Sequence, residues 1–276
     1  MDLGLKDRSA LITGGSRGIG KAIAISLAKE GCNIAVAARG RSDLETTCDL
    51  IRELDVQCVP IQADMTVPDD ISKMVEGTIS ELQGIDLLVA NAGGQKRPNF
   101  EDSTDEDWQF TLDINLMHAI RSIRKSIPYM KRSDCASIVI ISSVAGYKVQ
   151  VPTQYGVAKA AEIYLAAGLA RELAQFNIRV NAVAPGSIEF EGGSWGKRQK
   201  SDPRSMDQFR NSQFPFKRLG TPEEVADVVT FLCSEKASWI SGTTVTVDGG
   251  QMNPGLWSPQ DLPGPFQNAV PSNPPN

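Results

Sequence analysis

The chain has 276 residues, 41% of them hydrophobic and 22% charged, enough to bury one large core as a single α/β unit. A formal net charge of −5 excludes the basic stripe of a nucleic-acid binder and points to small-molecule chemistry. No stretch approaches the roughly 18 apolar residues of a membrane span, the five cysteines contain no CxxC pair and suit a reduced, cytoplasmic protein, and the one histidine, His118, has no companion ligands for a metal site or a Ser-His-Asp triad.

In chain order, short β-branched apolar runs alternate with segments of helical period, the pattern of a parallel sheet covered by helices on both faces. A first strand, Ser9–Thr13, runs into TGGSRGIG and a helix over 18–31. At such a turn Gly14 permits the sharp bend, Gly18 lets the backbone approach a pyrophosphate, and Gly20 lets helix and strand pack closely, with the helix N-terminus facing the anion. Strands at Asn33–Ala37, Gln57–Gln62 and Asp86–Ala90 follow, with helices near 42–54 and 69–83 between them. A long helix over 105–132 leads to a strand at Ser137–Ser142, whose Ile138-Val139-Ile140-Ile141 run is apolar at every position, as in a central strand covered on both faces.

The next helix, over 154–176, carries Tyr155 and Lys159 at a spacing that puts both on one face. After a strand at Ile178–Ala182 comes a long insertion, 187–216, with two adjacent glycines and a charge cluster, expected to be a mobile cover over a site or else a surface loop. Thr221 as N-cap, Pro222 in the first turn and Glu223 and Glu224 behind it open a helix over 222–234, and Thr243–Val247 completes a sheet of about seven strands. The expected fold is therefore one Rossmann-type doubly wound parallel sheet, residues 1–250, cover included. A proline-rich tail over 251–276 is expected to be extended.

TGGSRGIG, then NAG at Asn91–Gly93, SSVAG at Ser142–Gly146, YGVAK at Tyr155–Lys159 and PG at Pro185–Gly186 resemble, in order, the motifs of the classical short-chain dehydrogenase/reductases, over about residues 7 to 250. The glycine spacing, GxxxGxG rather than GxGxxG, belongs to that resemblance. It implies an oxidoreductase that moves hydride between NADP(H) and a carbonyl or secondary alcohol, with 3-oxoacyl thioester reductases the commonest comparison. Dehydrogenases of cyclic, steroid or sugar alcohols are the alternative, and a non-catalytic nucleotide-binding regulator is the competing class. A homotetramer built on the helices carrying Asn115 and Tyr155 is also implied, with no nucleic acid or membrane as partner.

By the same resemblance, Tyr155 is the general acid or base and Lys159 stabilises its phenolate and binds the nicotinamide ribose. Ser143 positions the carbonyl, with Ser142 as fallback, and stands twelve residues before Tyr155. Asn115 bends its helix and carries a proton relay to the lysine. Around the dinucleotide the resemblance sets Gly14, Ser16, Arg17, Gly18, Ile19 and Gly20 at the pyrophosphate, and Asp64 and Met65 at the adenine. Asn91, Ala92 and Gly93 line its middle, and Pro185, Gly186 and Ile188 flank the nicotinamide. The position at which an NAD enzyme carries a ribose-binding acid falls on Ala38, with Arg39 next and Arg17 in the glycine turn, so NADP is the preferred cofactor and NAD the lesser one.

Two positions depart from the family pattern: Phe190 stands where PGxxxT has threonine, and Ala90 where the common NNAG has its first asparagine. Substrate choice falls to the variable segments Gly94–Arg97 and Tyr147–Val149, and to the cover with Phe190 and Trp195.

Overall fold

A computed structural model describes residues 1–96, 99–149 and 152–252 of the chain. Seven strands form one sheet in which every pairing is parallel, in the order β3-β2-β1-β4-β5-β6-β7. They are β1 Ser9–Thr13, β2 Asn33–Ala38, β3 Cys58–Gln62, β4 Leu87–Ala90, β5 Ser137–Ile141, β6 Arg179–Pro185 and β7 Thr244–Val247. The helices are α1 Gly18–Lys29, α2 Arg41–Arg52, α3 Pro68–Leu82, α4 Asp105–Leu112, α5 His118–Met130, α6 Thr153–Leu173, α7 Ser194–Ser201, α8 Pro203–Gln213 and α9 Pro222–Cys233.

Strand alternation divides the core between the two faces of the sheet. Leu11, Leu88, Ala90, Ile138 and Ile140 pack with Ile71, Met74, Ala119, Ile123, Ala166 and Ala170 of α3, α5 and α6. Their neighbours Ala10, Ile12, Leu87, Val89, Val139 and Ile141 face Ile23, Leu27, Leu44, Ile51, Val225 and Val229 of α1, α2 and α9. A strand buried on both faces needs an apolar residue at every position, which is why β5 shows no alternation in its sequence. Truncating one of these fully buried aliphatic side chains to alanine costs about 2–5 kcal/mol.

The strand order reverses between β1 and β4, and open sheets of this kind form their cleft beyond the carboxyl ends of the strands at that point. Three elements there depart from the sequence reading. The expected helix over 105–132 is interrupted: α4 ends at Leu112, a widened π turn spans Asp113–Met117, and α5 resumes at His118. The backbone N–H of His118 donates to the carbonyl of Asp113, five residues earlier. Asn115 fills the gap so made, its Nδ2 donating to Thr111 O at 2.7 Å and to Gly94 O at 2.6 Å.

The cover expected over 187–216 contains two helices, α7 and α8, the second opened by Asp202 capping Ser205 N and by Pro203 in the first turn. An aromatic cluster holds it together: Trp195 stacks on Phe209 with centroids 5.0 Å apart, and Phe209 meets Phe214 edge-on. β6 runs three residues past its expected end, to Pro185. The tail beyond Met252 lies outside the described residues, as does Arg97. All five cysteines are buried and free, no helix among the described residues is long and apolar enough to cross a membrane, and no metal-holding cluster occurs among them.

His118 ties the widened turn to the sheet. Thr13 Oγ1 accepts from Asn91 N at 2.9 Å and Ala92 N at 3.0 Å, leaving its hydrogen for His118 Nε2 at 3.3 Å or, at longer reach, Val89 O at 3.5 Å. Burial and then the Lys159 charge push the imidazole pKa down to about 3, against opposing carbonyls of Asn115 and Ile114. Unfolded, the ring returns to about 6.5, so the unfolded chain binds one more proton between those values and stability falls as pH drops through the window. His118→Gln should therefore flatten this part of the acid destabilisation, by up to about 1.4 kcal/mol per pH unit. Urea midpoints measured from pH 6.5 to pH 4.5 would test it; parallel slopes in the two proteins would refute a buried neutral histidine.

Candidate functional site

The carboxyl ends of β1, β2, β4, β5 and β6 open into a cleft of about 770 Å³. At its centre lies the glycine turn. Gly14 and Gly18 have φ of +66° and +54°, where a side chain is strained. A Cβ on Gly20 would lie 2.3 Å from Gly14 O and 2.4 Å from Asn91 Nδ2, so β1, α1 and the end of β4 touch through this glycine. Asn91 Nδ2 donates to Thr13 O at 2.9 Å and Gly14 O at 3.1 Å, fixing the turn from below. Helix α1 starts at Gly18 with no side-chain cap and no acid in its first turn. Its free N–H groups and the positive end of its dipole suit a phosphate.

One end of the cleft is cationic and exposed. Arg17 and Arg39 both line it with the intermediate Ala38, and neither forms an ion pair among the described residues. Asp43, in the first turn of α2, lines the same end and was not singled out in the sequence. Met65 and Ala63 close the side near β3, while the Asp64 carboxylate is turned to Thr66, accepting from its N and Oγ1 at 2.9 and 2.8 Å. Burial opposes, but the Thr66 bonds and Arg39 outweigh it, and the Asp64 pKa lies below the ordinary carboxylate value.

The other end holds Ser142, Ser143, Tyr155 and Lys159. Ser142 is buried and donates to Lys159 O at 2.8 Å, a bond that pins the end of β5 to α6. Ser143 Oγ accepts from Ala145 N at 3.1 Å and keeps its own hydrogen for a ligand. Of the two serines, the second is the one with a hydroxyl proton to offer. Gly146 lets this turn lie against α6, since a Cβ there would be 2.7 Å from Ile163 Cδ1 and 2.9 Å from the Lys159 backbone.

Lys159 is 3% exposed, with Nζ 5.6 Å from the Tyr155 ring centroid. Nζ donates to Ile141 O at 3.0 Å and to the two Glu162 oxygens at 3.0 and 2.9 Å. Burial alone would lower the ammonium pKa, but Glu162 and Tyr155 more than offset it and raise it above the ordinary value. Gly93 leaves room here: a Cβ would lie 2.9 Å from Asn115 Oδ1 and 3.6 Å from Lys159 Nζ. Asn115 itself does not line the cleft; it stands behind the wall formed by Gly93, Gly94 and Ile114.

Opposite, Pro185, Gly186 and Ile188 line the cleft, and Gln251 fastens this strand end by accepting from Ser187 N and donating to Ser187 Oγ. Phe190 lies over the glycine turn, close enough that a Cβ on Gly18 would be 2.6 Å from its ring. Trp195 and Lys197 of α7, and Gln95 from the β4 side, complete the lining. Of the expected residues, the structure thus gathers Gly14, Ser16, Arg17, Ile19, Gly20, Arg39, Met65, Asn91, Ala92, Gly93, Ser143, Tyr155, Lys159, Pro185, Gly186 and Ile188 around one cavity. Gly18, Asp64 and Asn115 adjoin it without lining it. Gln95 and Lys197 fall in segments expected to choose the substrate, whereas Asp43 and Glu162 were missed, and of these only Glu162 had a signal, a lone acid in the apolar run KAAEIYLAA.

The family profile described as enoyl-(acyl carrier protein) reductase matches residues 14–252. The 3-oxoacyl-[acyl-carrier-protein] reductase FabG of Staphylococcus epidermidis is 37% identical over 247 residues, spanning 88% of this chain and 98% of the relative. Isoepoxydon dehydrogenase patN of Penicillium expansum is 34% identical over 252 residues, spanning 90% and 95%. Among solved structures, L-sorbose reductase from Gluconobacter frateurii, complexed with NADPH and L-sorbose, superposes with a TM-score of 0.87 at 33% identity, covering 92% of this chain and 99% of that one.

Proposed function

The chain belongs to the short-chain dehydrogenase/reductase family, and on that premise we propose that Ser143, Tyr155, Lys159 and Asn115 carry hydride transfer between NADP(H) and a carbonyl or secondary alcohol. As a member of that family it is an oxidoreductase acting on CH–OH or C=O groups. The observation that carries the catalytic assignment is the buried Lys159 ammonium beside Tyr155, with the free hydroxyl proton of Ser143 in the same cleft.

The residues around the cavity fit a dinucleotide: an uncapped helix N-terminus for the pyrophosphate, glycines that admit a close backbone, and room for an extended ligand. The nicotinamide, when bound, supplies or takes up the hydride. Ser143 donates its hydroxyl hydrogen to the substrate oxygen and orients it. Tyr155 gives its phenolic proton to the developing alkoxide in reduction and takes one up in oxidation, while the positive charge of Lys159 favours the phenolate. Lys159 also holds the nicotinamide ribose, and Asn115, by bonding to Gly94 and Thr111, keeps the helix open behind the lysine for water to pass a proton.

Preference for NADP(H) rests on Arg17 and Arg39, unpaired at one end of the cleft with no acid at position 38. A ketose or polyol is a second substrate reading beside a 3-oxoacyl thioester, favoured by the polar Gln95 and Lys197 on the lining and by the likeness to a sugar reductase. The helices of the cover act as the lid over either. A homotetramer belongs to the same reading, supported by the outward apolar side chains Val157 and Tyr164 of α6, 46% and 81% exposed in the single chain; a monomeric mass by light scattering would dismiss it. The five buried free thiols are in keeping with a reducing, cytoplasmic setting, which fractionation of cells making a tagged chain would check.

Assayed by absorbance of the reduced nicotinamide against ketoses, 3-oxoacyl thioesters and alcohols, Tyr155→Phe should lose about 10²–10⁴-fold in kcat while its NADPH affinity stays near that of the unmodified protein. Turnover preserved in this variant would reject the assignment. Arg39→Ala should weaken NADPH binding by about 10–100-fold and leave NADH nearly untouched; equal losses for the two would remove Arg39 from the 2′-phosphate site.

A further inference from the structure

Tyr155, Lys159 and Glu162 stand at i, i+4 and i+7 on α6, so all three share one face. Glu162 does not reach the cleft. It lies behind Lys159, 1% exposed, and both of its oxygens accept from the ammonium. The adjacent Ser142 hydroxyl donates to Lys159 O at 2.8 Å and also lies near enough to the carboxylate to favour its charged form. Ile141 O and the two Glu162 oxygens are the acceptors of the lysine ammonium among the described residues, while Lys159 itself still lines the cleft.

Two charges at this depth have a steep mutual dependence. Water cannot screen them, and either one alone carries a large desolvation cost. The cation that is to support a phenolate therefore has a partner of opposite sign closer to it than the phenol is. That partner fixes where the ammonium sits, and it also cancels part of the field that Tyr155 feels. Among the described residues the ionisable groups acting on Lys159 are Glu162 and Tyr155, and Lys159 is the only charged group acting on Glu162. His118 of α5, on which the charges of Lys159 and Arg121 both act, is held neutral. The Glu162 carboxyl, pushed up by burial against the pull of Lys159 and the Ser142 hydroxyl, has a pKa of about 7.

We propose that Glu162 is a positioning residue, the buried counter-ion that anchors the Lys159 ammonium and, by opposing its charge, sets the pH range in which Tyr155 exchanges a proton with substrate. This rests on the assignment of Tyr155 and Lys159 above. Removing the negative charge while keeping the shape, as in Glu162→Gln, leaves the cation uncompensated. In the alcohol-oxidation direction, where Tyr155 must accept a proton, the limb of kcat that rises with pH then moves by about one unit or more, toward lower pH where Lys159 keeps its proton and toward higher pH where burial, no longer offset, makes it release the proton.

The experiment is the pH profile of kcat for alcohol oxidation in the full-length chain, Glu162→Gln and Glu162→Asp, with saturating NADP and the best alcohol from the substrate panel. Expected is a shift of about a full unit in Glu162→Gln; Glu162→Asp, which keeps the charge but draws it back by one methylene, shifts the limb in the same direction by less. A purely structural role would lower kcat equally at every pH and leave the limb in place, and an unmoved limb in both variants overturns the proposal. If Glu162→Gln does not fold, the limb of Glu162→Asp decides alone, unmoved meaning overturned. Tyr155→Phe measured alongside separates the two claims: its retained turnover removes the catalytic assignment and the proposal together, whereas its loss with unmoved Glu162 profiles removes only the proposal.

Discussion

An ammonium group inside the protein is the constraint from which the catalytic end of this fold follows. Lys159 cannot be solvated where it sits, so each of its N–H groups needs an acceptor supplied by the chain. The last carbonyl of β5 is one such acceptor and Glu162, one turn further along α6, offers both of its oxygens. Those acceptors fix the distance between the end of the sheet and the helix. Ser142 adds a bond from the strand to the same turn of helix, and Gly146 removes the side chain that would hold the two apart. Ser143 and Tyr155 then line the same end of the cleft because the elements that carry them are locked at the buried charge.

A second polar chain, built on uncharged groups, supports the same region from the other side. Thr13 at the end of β1 is shared between the backbone of Asn91–Ala92 and the ring of His118. His118 begins the helix that resumes after the widened turn, and Asn115 plugs the opening of that turn by bonding to Thr111 and Gly94. A histidine there is held neutral, since the ring is buried and the Lys159 charge acts on it. The π turn is thus stabilised by side-chain bonds that replace the regular helical ones, in agreement with the tendency of such turns to occur where a site requires them.

Much of this was legible in the sequence, for a physical reason that differs from element to element. The strands were readable because burial on both faces demands unbroken apolar runs, as in Ile138–Ile141, and the turn of TGGSRGIG because only glycine tolerates its backbone and its contacts. The break in the 105–132 helix left only an asparagine as its trace, since a widened turn keeps helical periodicity on both sides. The helices of the cover were hidden by glycines and polar residues: α7 and α8 bury little, and Trp195, Phe209 and Phe214 come together only in three dimensions. Glu162 was visible as an acid among alanines, but periodicity could not tell whether it faced solvent or the core.

The two ends of the cleft also differ in how readily they can change. Arg17 and Arg39 are exposed, reach the cleft on flexible side chains and have no structural partner among the described residues, so replacing either alters what binds without disturbing what folds. Lys159 and Glu162 have no such freedom, because losing either partner strands the other in a medium of low dielectric constant. On the proposed reading, selectivity for the nucleotide is therefore located where substitution is cheap. The proposed proton chemistry is located where it is not, and it is tied to the packing of β5 against α6. Between them, Phe190 rests on Gly18 at the head of α1, so the cover is in direct contact with the turn proposed to hold the phosphates.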